Sequence, residues 1–249
     1  SGANKDLDYL KTISKIFSII ENDVKLILCN WESQKLLLKH SDISINSLVI
    51  HPGVKEYFIK DYSPEEISSF RKFYRIEKNK KVIISYGEYG YEKGLDELEA
   101  IARIMPDYEF FYFGGKSGFL ANSAHYGKNN KIKNLHYHSY LHRELYHSAL
   151  FTSTALLIPY KYHVDSMMIM EMMKANVPIV SVKSTYLYDL LIDKKTALLG
   201  DSIEDFYNYL KNIEKENVVQ SAREFIDRLT IKEYGKELRQ AYLTLLKEN

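Results

Sequence analysis

Residues 157–200 read LIPYKYHVDSMMIMEMMKANVPIVSVKSTYLYDLLIDKKTALLG, with two apolar runs separated by a polar loop and a methionine-rich segment. The first run stops at Pro159, which is typical of a strand buried in a parallel sheet. A helix that begins near Ser166 and stops at Asn176 then leads to the β-branched run PIVSV. We predict a strand–helix–strand unit here, followed by a second helix and a turn that closes the stretch at Gly200.

The polar loop at 160–166 could form a ligand-binding site within this unit. In a strand–helix–strand unit the N-terminus of the helix lies at the carboxyl end of the sheet. The free N–H groups of the first helical turn can hold a phosphate there. We therefore interpret the rest of the chain around a phosphate-bearing ligand.

Composition and charge exclude several other classes of protein. The 249 residues carry a net charge of +1, without the basic and aromatic clusters that a nucleic-acid surface needs, so we expect no nucleic-acid partner. The single cysteine, Cys29, cannot form an internal disulfide, and its apolar neighbours indicate a buried thiol in a reducing compartment. No apolar run approaches the roughly 20 residues of a membrane span. We expect a cytoplasmic protein.

Several strand–helix pairs precede the opening unit. Apolar runs predict strands at 24–29, 48–50, 81–86, 108–113, 135–137 and 155–158. Helical spacing predicts helices at 6–20, 30–39, 63–74, 95–104, 144–149, 203–215, 218–229 and 231–246. Ser63, Pro64 and Glu66 have the pattern of a capping box with proline in the first turn. The alternation of strands and helices predicts an α/β fold with a doubly wound, Rossmann-like parallel sheet.

Five blocks of the sequence occur in a recognisable order. They are VIHPGV (49–54), KVIISYGEYGYEKGLDELEAIARIMPDYEFFYFGG (81–115), NLHYHSYLHRELYHSALFTSTALLIPY (134–160), EMMKANVPIVSV (171–182) and TALLG (196–200). In this order and spacing the chain resembles the C-terminal, nucleotide-sugar-binding half of a family-four retaining glycosyltransferase of the GT-B fold. Within that family, MPDYEFFYFGGKSGFL and NLHYHSYL are most similar to bacterial diacylglycerol glucosyltransferases.

The resemblance implies a division of the chain into three parts. Residues 51–230 would form the donor domain, and residues 1–50 would be the tail of an N-terminal acceptor-side α/β domain. Residues 231–249 would form a C-terminal helix that packs back toward the N-terminal half. The rest of the acceptor side would come from a missing N-terminal domain or from a partner chain. We therefore expect this chain alone to be catalytically inactive.

The resemblance also assigns roles to individual residues. Lys93, between Gly87 and Gly94, corresponds to the lysine that neutralises the donor diphosphate. This lysine also stabilises the leaving UDP, which gives Lys93 a catalytic role. Glu171 corresponds to the glutamate that accepts hydrogen bonds from the ribose hydroxyls, a task that suits the two oxygens of a carboxylate. Gly115 could hold the donor near its base or phosphate. The alternatives are a solvated lysine, a surface glutamate and an ordinary glycine turn.

The loop before the helix departs from the family pattern. His163 stands where the family has a glutamate, and Val164-Asp165-Ser166 replaces the usual glycines. Asp165 could accept a hydrogen bond from a sugar hydroxyl, and Asp165 or Ser166 could equally cap the helix. Glu88 stands where the family has a phosphate-binding arginine, and a carboxylate repels a diphosphate. Donor binding would therefore be weakened, altered or lost.

A group of histidines between the donor motifs raises the question of a metal site. His136, His138, His142 and His147 are close in sequence. They are divided between a predicted strand and a predicted helix, and no cysteine or carboxylate pattern supports zinc. The metal independence of the family agrees with this, so we expect no metal and no cofactor besides the nucleotide-sugar substrate.

The function predicted from the sequence is hexosyl transfer with retention, from a nucleotide sugar, UDP-linked by preference, to a lipid or saccharide acceptor. The alternative is a non-catalytic glycosyltransferase-like partner or scaffold with a degenerate donor site, because a fold does not fix a function. A peripheral contact with the inner face of the membrane would come through the missing half.

Overall fold

The computed structural model describes residues 12, 14–19, 23–40, 43, 45–56, 59–88, 93–114, 132–160, 166–183, 187–215 and 217–247. The chain forms two compact units. The smaller unit comprises residues 1–54, 186–190 and 229–249, and the larger comprises residues 55–185 and 191–228. Each unit contains a parallel sheet of its own.

The strands and helices follow one another in a regular alternation. In chain order they are β1 (Ile27–Cys29), α1 (Glu32–His40), β2 (Ser47–Val49), α2 (Pro64–Phe73), β3 (Lys81–Tyr86), α3 (Leu95–Ile104), β4 (Tyr108–Phe113), β5 (Leu135–His138), α4 (Arg143–Thr152), β6 (Ala155–Ile158), α5 (Met167–Lys174), β7 (Ile179–Val182), β8 (Leu198–Gly200), α6 (Ile203–Asn212), α7 (Val218–Ile226) and α8 (Ile231–Lys247). Residues 14–19 are also helical, and short 3-10 turns lie at Ile59–Asp61 and Ile213–Lys215.

The larger unit is built on a six-stranded parallel sheet with the order β5-β4-β3-β6-β7-β8. The chain runs outward from β3 to β5, returns to β6 beside β3, and then continues outward on the other side. The predicted doubly wound parallel sheet is therefore confirmed. Its switch point lies between β3 and β6, and ligands of such sheets bind outside the carboxyl ends of the strands at this point.

Apolar layers cover both faces of this sheet. One layer joins Ile83, Phe110 and Leu157 of the strands to Leu98 of α3 and Phe206 of α6, all of them buried. The opposite layer is aromatic, and the Phe70 ring of α2 meets the Phe111 ring edge to face at 5.1 Å. Strands β6 and β7 are buried along their whole length, as expected of parallel strands with helices on both faces.

Two predicted helix boundaries are confirmed by the backbone. Ser63 caps α2, its hydroxyl accepting the N–H of Glu66 while the Glu66 carboxylate accepts the N–H of Ser63. Asn176 follows α5 with φ of 60°, a left-handed conformation that asparagine tolerates better than most residues. Its N–H donates to the Met173 carbonyl, which completes the end of the helix.

The smaller unit contains a two-stranded parallel sheet and the C-terminal helix. Strand β1 pairs with β2, with Leu28 opposite Leu48. Val54 donates its N–H to the Leu229 carbonyl just before α8 begins. At the start of α1 the Asp189 carboxylate accepts the N–H of Glu32 at 2.8 Å, a favourable position for a negative charge.

Two predictions for the region after β7 are wrong. In place of a second helix, the described residues there form a turn, in which the N–H of Leu190 donates to the carbonyl of Leu187. The predicted closing turn contains strand β8, whose Leu198 pairs with Val180 of β7. Leu198 is fully buried, and the residues up to Gly200 form an edge strand of the sheet.

None of the helices in the described part of the chain combines the length and the apolar character needed to cross a membrane.

Candidate functional site

The loops that follow β3 and β6 meet at the switch point of the large sheet. Gly94 ends the β3 loop in a left-handed conformation, with φ of 66°, and precedes α3. A β-carbon at this position would lie 2.0 Å from the carbonyl oxygen of Pro159, the residue after β6. Glycine is therefore required both by the backbone conformation and by the close approach of the two loops.

Lys93 lies at this junction with its side chain in a defined position. Its Cδ is 3.5 Å from the point where a β-carbon on Gly87 would stand, so the aliphatic stem runs beside the glycine. Its ammonium group lies over the ring of Tyr160, 5.1 Å from the ring centroid. Tyr160 is only 2% exposed, which makes its ring a fixed surface for the cation. The Lys93 ammonium is thus held at the carboxyl edge of β3 and β6.

Gly87 turns the chain away from β3 and makes room for its neighbours. Its φ is 146°, and a β-carbon would lie 2.9 Å from the hydroxyl oxygen of Tyr112. That hydroxyl donates to the backbone carbonyl of Glu88 at 3.0 Å. Glu88 is exposed, and this hydrogen bond fixes its backbone at the loop.

Glu171 lies in the middle of α5, the helix that follows β6. It is half-buried, and its Oε2 accepts a hydrogen bond from the hydroxyl group of Tyr146 on α4. The methionines beside it, Met170 and Met172, are fully buried. The alternative of a plain surface glutamate does not fit a carboxylate that is held in this way.

The C-terminal end of α5 is fixed by an ion pair with α7. The Lys174 side chain is 3% exposed, and its ammonium group lies 2.5 Å from Oδ1 of Asp227. Arg223 donates to the same carboxylate oxygen at 2.8 Å and to the Lys174 carbonyl at 2.5 Å. The backbone that carries Glu171 is therefore tied to the rest of the large unit.

Ser166 occupies the position before the first turn of α5 but does not cap it. Its carbonyl accepts the N–H of Met170 at 2.9 Å, while its side chain makes no capping hydrogen bond. The residue is 4% exposed, so its place is set by burial. The alternative that Ser166 caps the helix through its hydroxyl is therefore wrong. His163, Asp165 and Gly115, also predicted to bind the donor, lie outside the described residues.

The predicted histidine group serves packing and hydrogen bonding. The Nε2 atom of His136 lies 2.8 Å from the Glu109 carboxylate. His138 stacks on Phe113 at 5.5 Å; burial, followed by the charges of His136 and His142, lowers its pKa. Burial likewise lowers the pKa of His147. Among the residues that the structure describes, no three histidines, cysteines or carboxylates are grouped as metal ligands would be.

The structure thus brings Gly87, Lys93 and Gly94 together after β3, and places Ser166 and Glu171 on the segment after the neighbouring strand β6. Sequence reasoning missed two side chains that hold the charged groups, Tyr146 and Tyr160. Tyr160 directly follows the proline at the end of a buried strand, and this position could have identified it. Nothing in the sequence near Tyr146 indicates its partner, which is 25 residues away on another helix.

Comparison with known proteins shows the family to which this chain belongs. Residues 66–237, more than half of the chain, match the family model described as "Glycosyl transferases group 1". The chain is 23% identical over 244 residues to the processive diacylglycerol alpha-glucosyltransferase of Acholeplasma laidlawii. That alignment covers 96% of this chain and 72% of the relative.

Solved structures share the fold at low sequence identity. Anabaena Alr3699/HepE, solved in complex with UDP and glucose, matches with a TM-score of 0.77 and 12% identity over 93% of this chain and 67% of that protein. Sucrose-phosphate synthase from Thermosynechococcus elongatus matches with a TM-score of 0.71 and 14% identity over 90% of this chain. The chain spans 59% of the length of that synthase. The present chain has the fold of the GT-B glycosyltransferases, and it belongs to the group 1 glycosyl transferases.

Proposed function

We propose that this chain carries the donor-binding half of a retaining glycosyltransferase that uses a UDP-linked hexose. The observation that carries the proposal is the placement of Lys93 and Glu171. The first follows β3 and the second lies on the helix after β6, the two strands that flank the switch point. A cation after one of these strands and a half-buried carboxylate on the helix after the other match the two ends of a nucleoside diphosphate, its phosphates and its ribose.

Lys93 is suited to the diphosphate. Its ammonium is a compact charge with three donors, and the Tyr160 ring holds it without neutralising it. The charge on the diphosphate increases as the sugar leaves, so a cation already in place stabilises the transition state more than the ground state. This role makes Lys93 the proposed catalytic residue, and no metal ion is needed in the proposal.

Glu171 is suited to the ribose. A carboxylate has about four acceptor sites, and the two hydroxyls of a ribose each offer one donor. The Anabaena relative was solved in complex with UDP and with UDP-glucose, which supports a uridine nucleotide as the donor. Donor contacts from Gly87, Gly94, Gly115, His163, Asp165 and Ser166 remain part of the proposal.

The acceptor is proposed from the curated relative. The Acholeplasma protein is a diacylglycerol alpha-glucosyltransferase, which supports a glucosyl donor and a lipid acceptor for this chain. An α-glucosyl product is also what a retaining enzyme makes from an α-linked nucleotide sugar. We place the acceptor side on an N-terminal domain or partner chain, with residues 1–50 as its tail and residues 231–249 packing back toward it. Contact with the inner face of a membrane would come through that part.

Isothermal titration calorimetry with UDP, UDP-glucose and GDP-mannose tests the donor site. We expect heat with UDP and UDP-glucose, and about 10- to 100-fold weaker binding after Lys93→Ala, since a charge-assisted hydrogen bond contributes about 1.5–3 kcal/mol. Lys211→Ala is the matched control, because Lys211 also lies over a tyrosine ring, that of Tyr207, at 5.3 Å. Its loss should leave nucleotide binding unchanged.

The same titration distinguishes the proposal from a non-catalytic module. The exposed Glu88, at the position where the family has an arginine, is the observation that favours such a module. Absence of heat with all three nucleotides, or binding that is indifferent to Lys93→Ala, would show a degenerate donor site and overturn the enzymatic proposal.

A further inference from the structure

We propose that Tyr146 is a positioning residue for Glu171, holding its carboxylate in the orientation that accepts the two ribose hydroxyls of the donor nucleotide. This inference rests on the proposed function, and it adds a second residue to the recognition of the ribose. Tyr146 acts through Glu171, so it is not itself proposed to touch the nucleotide.

The contact joins two helices that flank one strand. Tyr146 lies on α4, which precedes β6, and Glu171 lies on α5, which follows it. The tyrosine hydroxyl donates to Oε2 of the glutamate. The Tyr146 ring also meets the ring of its sequence neighbour His147 edge to face, with the centroids 5.9 Å apart.

The helix that carries Tyr146 has a fixed backbone. Two residues after Tyr146, the Ser148 hydroxyl donates to the Ile67 carbonyl at 2.6 Å and accepts the N–H of Phe70 at 2.8 Å. Ser148 is 3% exposed, and both of its partners belong to α2. These two hydrogen bonds tie α4 to α2 at a buried point. The backbone from which the Tyr146 side chain extends is therefore fixed.

The helix that carries Glu171 is fixed as well, by the buried ion pair of Lys174 with Asp227. The remaining freedom lies within the glutamate side chain, whose terminal torsion is broad and roughly two-fold. A hydrogen bond from a phenol restricts that torsion and occupies one of about four acceptor sites of the carboxylate. Supporting hydrogen bonds of this kind commonly set the orientation of a ligand-binding carboxylate.

The test compares two nucleotides with two tyrosine variants by titration calorimetry. For Tyr146→Phe we expect about three- to tenfold weaker binding of UDP, part of the effect of losing a hydrogen bond to a charged group. Binding of 2′,3′-dideoxy-UDP, which lacks both ribose hydroxyls, should be the same in wild type and variant. Tyr137→Phe is the matched control, because the Tyr137 hydroxyl donates to another glutamate, Glu99, at 3.0 Å. It should change neither affinity.

A mutant cycle with Glu171→Ala completes the test. In the Glu171→Ala background, Tyr146→Phe should have no further effect on UDP binding. Equal weakening of UDP and dideoxy-UDP would show a general structural role and overturn the inference, as would unchanged UDP binding. Failure of the wild-type chain to bind UDP would instead overturn the proposed function, and the inference with it. Thermal unfolding of each variant shows whether a loss of binding reflects a loss of fold.

Discussion

The ammonium group of Lys93 lies 5.1 Å from the centroid of the Tyr160 ring, so a residue after β3 is held by a residue after β6. The tyrosine is 2% exposed and its position is set by packing. The lysine stem passes beside Gly87, where any side chain would meet the Tyr112 hydroxyl. This arrangement pre-organises the proposed phosphate-binding cation before any ligand arrives.

Tyr160→Leu is expected to weaken UDP binding about three- to tenfold. The change removes the ring under the ammonium, and cation–π contacts contribute about 0.5–2 kcal/mol depending on their exposure. Binding of uridine should be unaffected, because uridine has no phosphate for Lys93 to meet. Calorimetric titration with the two ligands measures both effects.

Tyr207→Leu provides the control for this change. Tyr207 lies under Lys211 at 5.3 Å, on helix α6. Its loss removes a tyrosine–lysine pair outside the proposed site and should leave UDP binding unchanged. Equal losses of UDP affinity in the two variants, or an equal loss of uridine binding in Tyr160→Leu, would contradict the assignment.

Gly94→Ala is expected to lower the free energy of unfolding by at least about 2 kcal/mol. The left-handed backbone is strained for alanine by about 1 kcal/mol, and the added carbon would stand 2.0 Å from the Pro159 carbonyl oxygen. The two loops would have to separate, so UDP binding should weaken as well. Urea-induced unfolding and UDP titration measure the two effects.

Gly235→Ala is the contrasting substitution on helix α8. A β-carbon at Gly235 meets no heavy atom within 4 Å. Alanine in a helix interior is favoured over glycine by about 0.5–1 kcal/mol, so the variant should be more stable than the wild type. Destabilisation of similar size in both variants would show that the close approach at Gly94 is not what requires a glycine.

The large sheet was predictable because its signals are local. Buried parallel strands such as Ile179–Val182 are rich in β-branched residues, and Ser63, Pro64 and Glu66 mark the start of a helix within four consecutive positions. These patterns depend on residues next to one another in sequence. Lys93 and Glu171 were found by resemblance to a family motif, and the structure adds the surfaces that hold them.

The features that sequence reasoning missed depend on contacts between distant segments. The role of Leu198 as an edge-strand residue follows from its pairing with Val180, and three residues before Asp201 are too few to show a strand pattern. Tyr146 is one of 21 tyrosines in the chain, and only the hydrogen bond between α4 and α5 identifies it as the partner of Glu171. Such contacts are set by tertiary packing and produce no periodic pattern of residues in the sequence.

Asp227→Ala is expected to be more destabilising than Lys174→Met. The alanine variant leaves the Lys174 ammonium, 3% exposed, without its carboxylate, which should cost about 2–4 kcal/mol. The methionine variant removes the buried charge and leaves Asp227, which is 45% exposed, with Arg223, so the cost should stay below about 1 kcal/mol. Urea unfolding of both single variants and the double variant measures the difference. Equal losses of unfolding free energy in the two single variants would contradict the inference that the buried Lys174 charge depends on Asp227.

The contribution of Asp227 to stability is expected to disappear in acid. Burial by itself raises the pKa of the Asp227 carboxyl, but hydrogen bonds from Lys174 and Arg223 outweigh it and hold the pKa below its ordinary value of 3.8. A lowered carboxyl pKa stabilises the fold above the unfolded-state value, and that stability is lost as the pH falls through the folded-state value. Unfolding free energies of the wild type and of Asp227→Asn, measured from about pH 6 to about pH 2.5, should therefore differ by a constant amount above about pH 4.5. They should converge only as the pH falls below 3.8 toward the lower folded-state pKa. A difference that persists unchanged into the most acidic samples would rule out the ionised carboxylate as its source.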